Sequence, residues 1–85
     1  MNIHSFQKLS MDNKVKKLYL EGEYIMSIRY YRHKINLYLL EGHYIEVYYN
    51  HRKACIDKID LLDLNHKRMK WYLDQIKVSS GLFNS

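Results

Sequence analysis

Two tripeptides concentrate the side chains of this chain that could do chemistry: Arg32-His33-Lys34 and His51-Arg52-Lys53. Tyr30 and Tyr31 precede the first, and Tyr48 and Tyr49 stand just before the second. Cations beside aromatic rings suit single-stranded nucleic acid or another phosphorylated ligand, because the charges hold phosphates while ring faces accept bases. The same composition also arises without a ligand, since turns are exposed and therefore polar, and tyrosine is a good strand residue.

Other chemistries are poorly served. The histidines His4, His33, His43, His51 and His66 form no i, i+4 pair and have no carboxylate at ligand spacing. His33 and His51 alone are expected to approach each other, and two imidazoles without a third ligand make a weak metal site. There is no glycine-rich phosphate loop and no nucleophile elbow. Asp57, Asp60 and Asp63 in "CIDKIDLLD" read as a strand edge leading into a capped helix. No catalytic residue, metal or cofactor is therefore assigned, and the expectation is a non-enzymatic protein. Cys55 is the sole cysteine, which excludes an internal disulfide and suits a reducing cytoplasm. In a strand-like run it is expected to be a small buried hydrophobe.

Composition sets the scale. With 85 residues of which 47% are hydrophobic, the chain fills one core of marginal stability, about 4 to 9 kcal/mol. A large enclosed active site does not fit. A formal charge of +5 favours acidic partners. The apolar runs are too short for a transmembrane helix, and "MNIHSFQKLS" has neither a basic n-region nor an apolar h-region. The expected location is cytoplasmic, with no membrane contact.

The elements that must position the two tripeptides follow from periodicity. Ile3, Phe6 and Leu9 form a short lead-in. Met11, Val15 and Leu18 share a helical face, Ser10 or Asp12 caps the start, and Gly22 stands where a helix end accepts positive φ, which predicts a helix over 11–21. Strands are expected at 23–31, 35–40, 43–49 and 55–62, joined by short connectors as an antiparallel meander. Met69, Tyr72, Leu73 and Ile76 mark a second helix over about 65–77. The prediction is one α+β domain over 1–78, a four-stranded antiparallel meander with an N-terminal and a C-terminal helix packed on one face, followed by a flexible tail over 79–85.

Facing is less uniform. Ile45, Val47 and Tyr49 with Ile35, Leu37 and Leu39 are read as the aliphatic, helix-covered face. Tyr38, Tyr44 and Tyr48 are then expected on an uncovered face, a candidate partner interface together with Trp71, which lies off the helical stripe. In the first strand Tyr24, Met26, Ile28 and Tyr30 are the more apolar set, while alignment with the third strand would turn Ile25 inward together with Ser27 and Arg29; the facing stays open at this point, and a bulge is one way to reconcile the two.

The hexapeptide "LEGEYI" at 20–25 returns as "LEGHYI" at 40–45. Both copies start a strand at one end of the meander, so they read as shared local grammar and not as a duplicated binding unit. That end collects Glu21, Glu23, Glu41, Asp60 and Asp63. The other end brings the first and third connectors together, gathering Arg32, His33, Lys34, His51, Arg52 and Lys53 beside Tyr31 and Tyr49.

The segments Gly22-Glu23-Tyr24-Ile25, Tyr30-Tyr31, Asn36-Leu37-Tyr38, Tyr44-Ile45-Glu46-Val47 and Tyr72-Leu73-Asp74-Gln75-Ile76 resemble a group of short, uncharacterised bacterial proteins. The resemblance spans most of residues 6–77, implies a bacterial cytoplasmic origin, and carries over no activity and no functional residue. Two functions remain in view. One is an interaction module that forms a homodimer or binds a protein partner through the tyrosine-rich face. The alternative is a nucleic-acid- or anion-binding module using the paired basic turns.

Overall fold

A computed structural model describes residues 2–74 of the chain. It opens with α1 (Ile3–Gln7), capped by the Asn2 side chain, which accepts from the Ser5 N–H at 2.9 Å. Next comes α2 (Met11–Glu21), where Ser10 Oγ accepts from the Asn13 N–H at 3.2 Å. The helix stops at Gly22, for a reason that differs from the expectation. Gly22 has φ −81°, ordinary extended backbone. Its lack of a side chain matters because a Cβ there would sit 2.6 Å from the Leu18 carbonyl oxygen, which accepts the Gly22 N–H.

The strands are β1 (Glu23–Tyr30), β2 (His33–Leu40), β3 (His43–Asn50) and β4 (Cys55–Leu61), in the spatial order β1-β2-β3-β4 with every pair antiparallel. The α+β class and the meander are as expected. His33 and Lys34 belong to β2, however, so the first connector is only Tyr31-Arg32. In the second connector Glu41 and Gly42 both take positive φ, 49° and 80°, the backbone of a two-residue hairpin turn whose twist matches the strands.

This tight turn fixes the β2–β3 register and corrects the facing. Ile35 lies opposite Tyr48, Leu37 opposite Glu46 and Tyr38 opposite Ile45. The aliphatic sets of the two strands therefore point to opposite faces, and each face has its own core. On one, Leu40, Ile45, Val47 and Ile59 pack with Phe6 of α1 and Leu18 of α2. On the other, Ile28, Ile35, Leu37 and Tyr48 pack with Tyr72. The C-terminal segment thus covers the face opposite the N-terminal helices, not the same face. The expected uncovered tyrosine face does not form: Tyr38 is half-buried beside the first core, while Tyr48 is buried and Tyr44 half exposed on the other side.

β1 contains the bulge. Its pairing slips between Tyr24 and Met26, so Tyr24 joins Tyr38 on the first face while Met26, Ile28 and Tyr30 join the second core. β4 bulges too, between the pairs Tyr48–Lys58 and Tyr49–Ile56, leaving Asp57 as the extra residue.

The expected helix over 65–77 begins later. Residues 63–71 first advance through i+3 turns, from the Asp63 carbonyl to the His66 N–H and from His66 to Met69, and helix α3 runs over residues 69–74 of the described chain. The helix end at 77, the domain limit at 78 and the tail over 79–85 lie outside the described residues. Among the described residues no helix is long and apolar enough to cross a membrane.

One buried interaction attaches this segment. Glu46, with 0% of its surface exposed, receives Arg68 in a two-point contact, Nε to Oε2 at 3.1 Å and Nη2 to Oε1 at 2.8 Å. Tyr72 donates to Oε2 at 2.8 Å and Tyr48 to Oε1 at 3.1 Å. Burial is the main cause that raises the Tyr48 and Tyr72 phenols, with Glu46 adding to it, so both remain donors. The hydrogen bonds that Arg68 donates to Glu46 hold its guanidinium above its ordinary value. Its charge also lies 5.6 Å from the Tyr30 ring and 5.4 Å from the Tyr48 ring.

A buried pair of this kind contributes little net stability, yet removing one partner strands the other charge and costs about 3–5 kcal/mol. Glu46→Ala should therefore remove much of the stability in urea unfolding, whereas Glu46→Leu combined with Arg68→Met, Tyr48→Phe and Tyr72→Phe, which leaves no buried donor without a partner, should recover most of it. A Glu46→Ala loss below about 1 kcal/mol, typical of an exposed pair, would contradict this account.

Candidate nucleic-acid interface

The meander places the Tyr31-Arg32 turn and the turn over residues 51–54 at the same end of the sheet. Their side chains line a basin of about 560 Å³ formed by Arg32, Asn50, His51, Arg52 and Lys53. Four of the eight residues singled out for anion contact, Arg32, His51, Arg52 and Lys53, are thus brought together. Tyr49 stands beside them with its ring edge-to-face on His51 at 5.0 Å.

The remaining three are placed otherwise. Lys34 is half-buried in β2 between Arg29 and Tyr49. Like charges directly across a strand pair repel, which disfavours the Arg29–Lys34 pairing in the free protein. His33 does not line the basin; its Nε2 donates to Asp57 Oδ2 at 2.7 Å. Tyr31 takes φ 57° and is 86% exposed. It lines a second cavity of about 320 Å³ with Arg29, Tyr30, Lys67 and Trp71.

The turns are held by a carboxylate that sequence reasoning assigned no role. As the bulged residue of β4, Asp57 is turned onto the side of β2 and β3 that carries His33 and Asn50. Besides His33 it accepts from Asn50 Nδ2 at 3.1 Å, and Asn50 Oδ1 in turn accepts the Lys53 N–H at 3.2 Å. One carboxylate therefore ties the start of β2, the end of β3 and the second basic turn into a single unit. The signal was present in "CIDKID". Ile56 and Ile59 both reach the first core, and a three-residue spacing on one face of a strand requires an extra residue between them.

The His33 and Asn50 hydrogen bonds, the former first, hold the Asp57 carboxyl below its ordinary value. Cys55 is exposed, contrary to expectation, and its thiol points to Asp57 Oδ1 at 3.8 Å. Among the described residues no group of three or more His, Cys, Asp or Glu is arranged to hold a metal ion.

Of the partner-interface residues, Tyr48 is sealed in the second core with Lys58 Nζ 4.4 Å from its ring. Tyr38 and Tyr44 are on different faces, and Trp71, half exposed, lies at the basic end beside Tyr31. Arg29 and Lys67 join the site although they lie outside the two tripeptides. Comparison with known proteins adds no relative: no family model, no curated protein and no solved structure matches the chain.

Because its folded value is depressed, Asp57 contributes stability that is fully present above the ordinary carboxylate value of about 4 and is lost as pH falls through the lower folded value. Asp57→Asn should lower the melting temperature at neutral pH, flatten its fall in acid, and speed hydrogen exchange at the Lys53 amide. Unchanged exchange at Lys53 would mean that the turn is held by something else.

Proposed function

We propose that the protein is a small binding module for single-stranded nucleic acid, gripping the phosphate backbone at the end of its sheet where the two basic turns meet. The observation that carries this reading is the basin in which Arg32 stands with His51, Arg52 and Lys53, residues 19 to 21 positions away in the chain. Among the described residues neither Arg32 nor Arg52 is paired with a carboxylate, while the carboxylates Glu21, Glu46 and Asp57 are taken by Lys17, Arg68 and His33.

Charge alone would suit any polyanion. Rings at the rim, Tyr31 and Tyr49, favour a ligand with flat faces to stack, and unpaired bases offer them. The polarity of the sheet adds steering, because Glu23, Glu41, Asp60 and Asp63 stand at the far end. The protein-partner reading drew on a continuous tyrosine face. With Tyr38 and Tyr48 on opposite, covered faces, that reading has less behind it than the basic end.

A single strand that places three to five phosphates on these residues should lose affinity with rising salt at a log–log slope of about −2 to −4. Replacing Arg32, Arg52 and Lys53 by Ser should flatten the slope toward zero without unfolding the domain. Retention of full affinity by that variant, or no binding by the native chain at low salt, would refute the proposal.

A further inference from the structure

We infer that the cavity formed by Arg29, Tyr30, Tyr31, Lys67 and Trp71 is a pocket for one unpaired nucleobase of the strand whose phosphates cross the neighbouring basin; the inference rests on the reading just given and names what that site recognises. Three aromatic rings and two cations line about 320 Å³, a volume at the lower end of small-molecule sites. The lining contains no carboxylate. Rings with interspersed cations are what a base attached to a phosphate requires, stacking for the heterocycle and charge for the linkage.

The backbone supplies an independent observation. Tyr31 takes φ 57°, a left-handed conformation that a glycine or asparagine would adopt more readily. A bulky ring there is costly to the fold, and it is 86% exposed, so burial does not compensate. The two-residue turn asks for positive φ at this position, as the turn at Glu41 does, but not for an exposed tyrosine. Tyr31 meets Tyr30 edge-to-face at 4.6 Å, which steadies the ring at the mouth of the cavity. Its successor in the chain, Arg32, lines the basin, so a nucleotide spanning the two would have its base on one residue and its phosphate on the next.

The opposite wall is equally set. Lys67 and Trp71 flank Arg68, whose carbonyl accepts the Trp71 N–H at 2.9 Å and whose guanidinium is anchored on Glu46. The pocket is therefore assembled from two segments by a buried contact. Trp71 stays about half exposed with a ring available to stack.

Trp71 is the sole tryptophan, so its fluorescence reports on the pocket directly. The test is titration with a deoxyadenylate strand of about twelve nucleotides and with an abasic strand of equal length and charge. The intact strand should quench Trp71 and bind roughly 5- to 150-fold more tightly than the abasic one. Tyr31→Gly should raise the unfolding midpoint yet shrink the preference for the intact strand over the abasic one. Equal affinity for the two strands with Trp71 emission unmoved would overturn the base pocket and leave phosphate binding standing. Binding of neither strand would overturn both.

Discussion

Removing a carboxylate from water is among the costlier steps a small domain can take, and Glu46 takes it completely. In the interior Arg68 meets both of its oxygens and two phenols supply the remaining hydrogen bonds. Those donors come from the sheet itself and from a segment more than twenty residues further on. The contact is directional where an apolar one would slide. It therefore sets the rotation and height of the C-terminal segment on the sheet, and with them the positions of Lys67 and Trp71 beside β1. No buried side-chain nitrogen or oxygen among the described residues lacks a partner, which is the condition for such a network to specify one arrangement.

A second carboxylate does related work at the surface. Asp57 is held out of β4 by the bulge and joins three strands where they end, so the basic turns sit on a fixed base. The two carboxylates divide the labour. Glu46 locates one wall of the aromatic cavity, and Asp57 locates the turn that faces Arg32 in the basin.

Much of the plan was legible from local pattern. Ser10 and Gly22 bound α2, the short connectors imply a meander, and a meander brings its first and third turns together whatever the side chains do. Facing was not legible, because a sheet covered on both sides has no clean alternation to read. Leu37 and Val47 look equivalent as aliphatic strand residues, and only the register set by Glu41-Gly42 puts them on opposite faces. Glu46 passes for a solvent residue because the partners that make its burial tolerable lie far along the chain. The basic site was half legible. Arg32 and the second tripeptide were found, whereas His33 and Lys34 were counted as turn residues although β2 begins with them, and Asp57 hid behind a strand taken as regular.

The two bulges lie in β1 and β4, the strands at the borders of the sheet. An open sheet presents a row of unpaired backbone groups along each border, a template on which another chain can add a strand. An extra residue breaks the spacing of that row and increases the local twist. Ile25 interrupts one border and Asp57 the other, so each edge is a poor template for edge-to-edge growth. The residue that fastens the basic turns thus also helps keep the sheet from extending into an aggregate of its own copies.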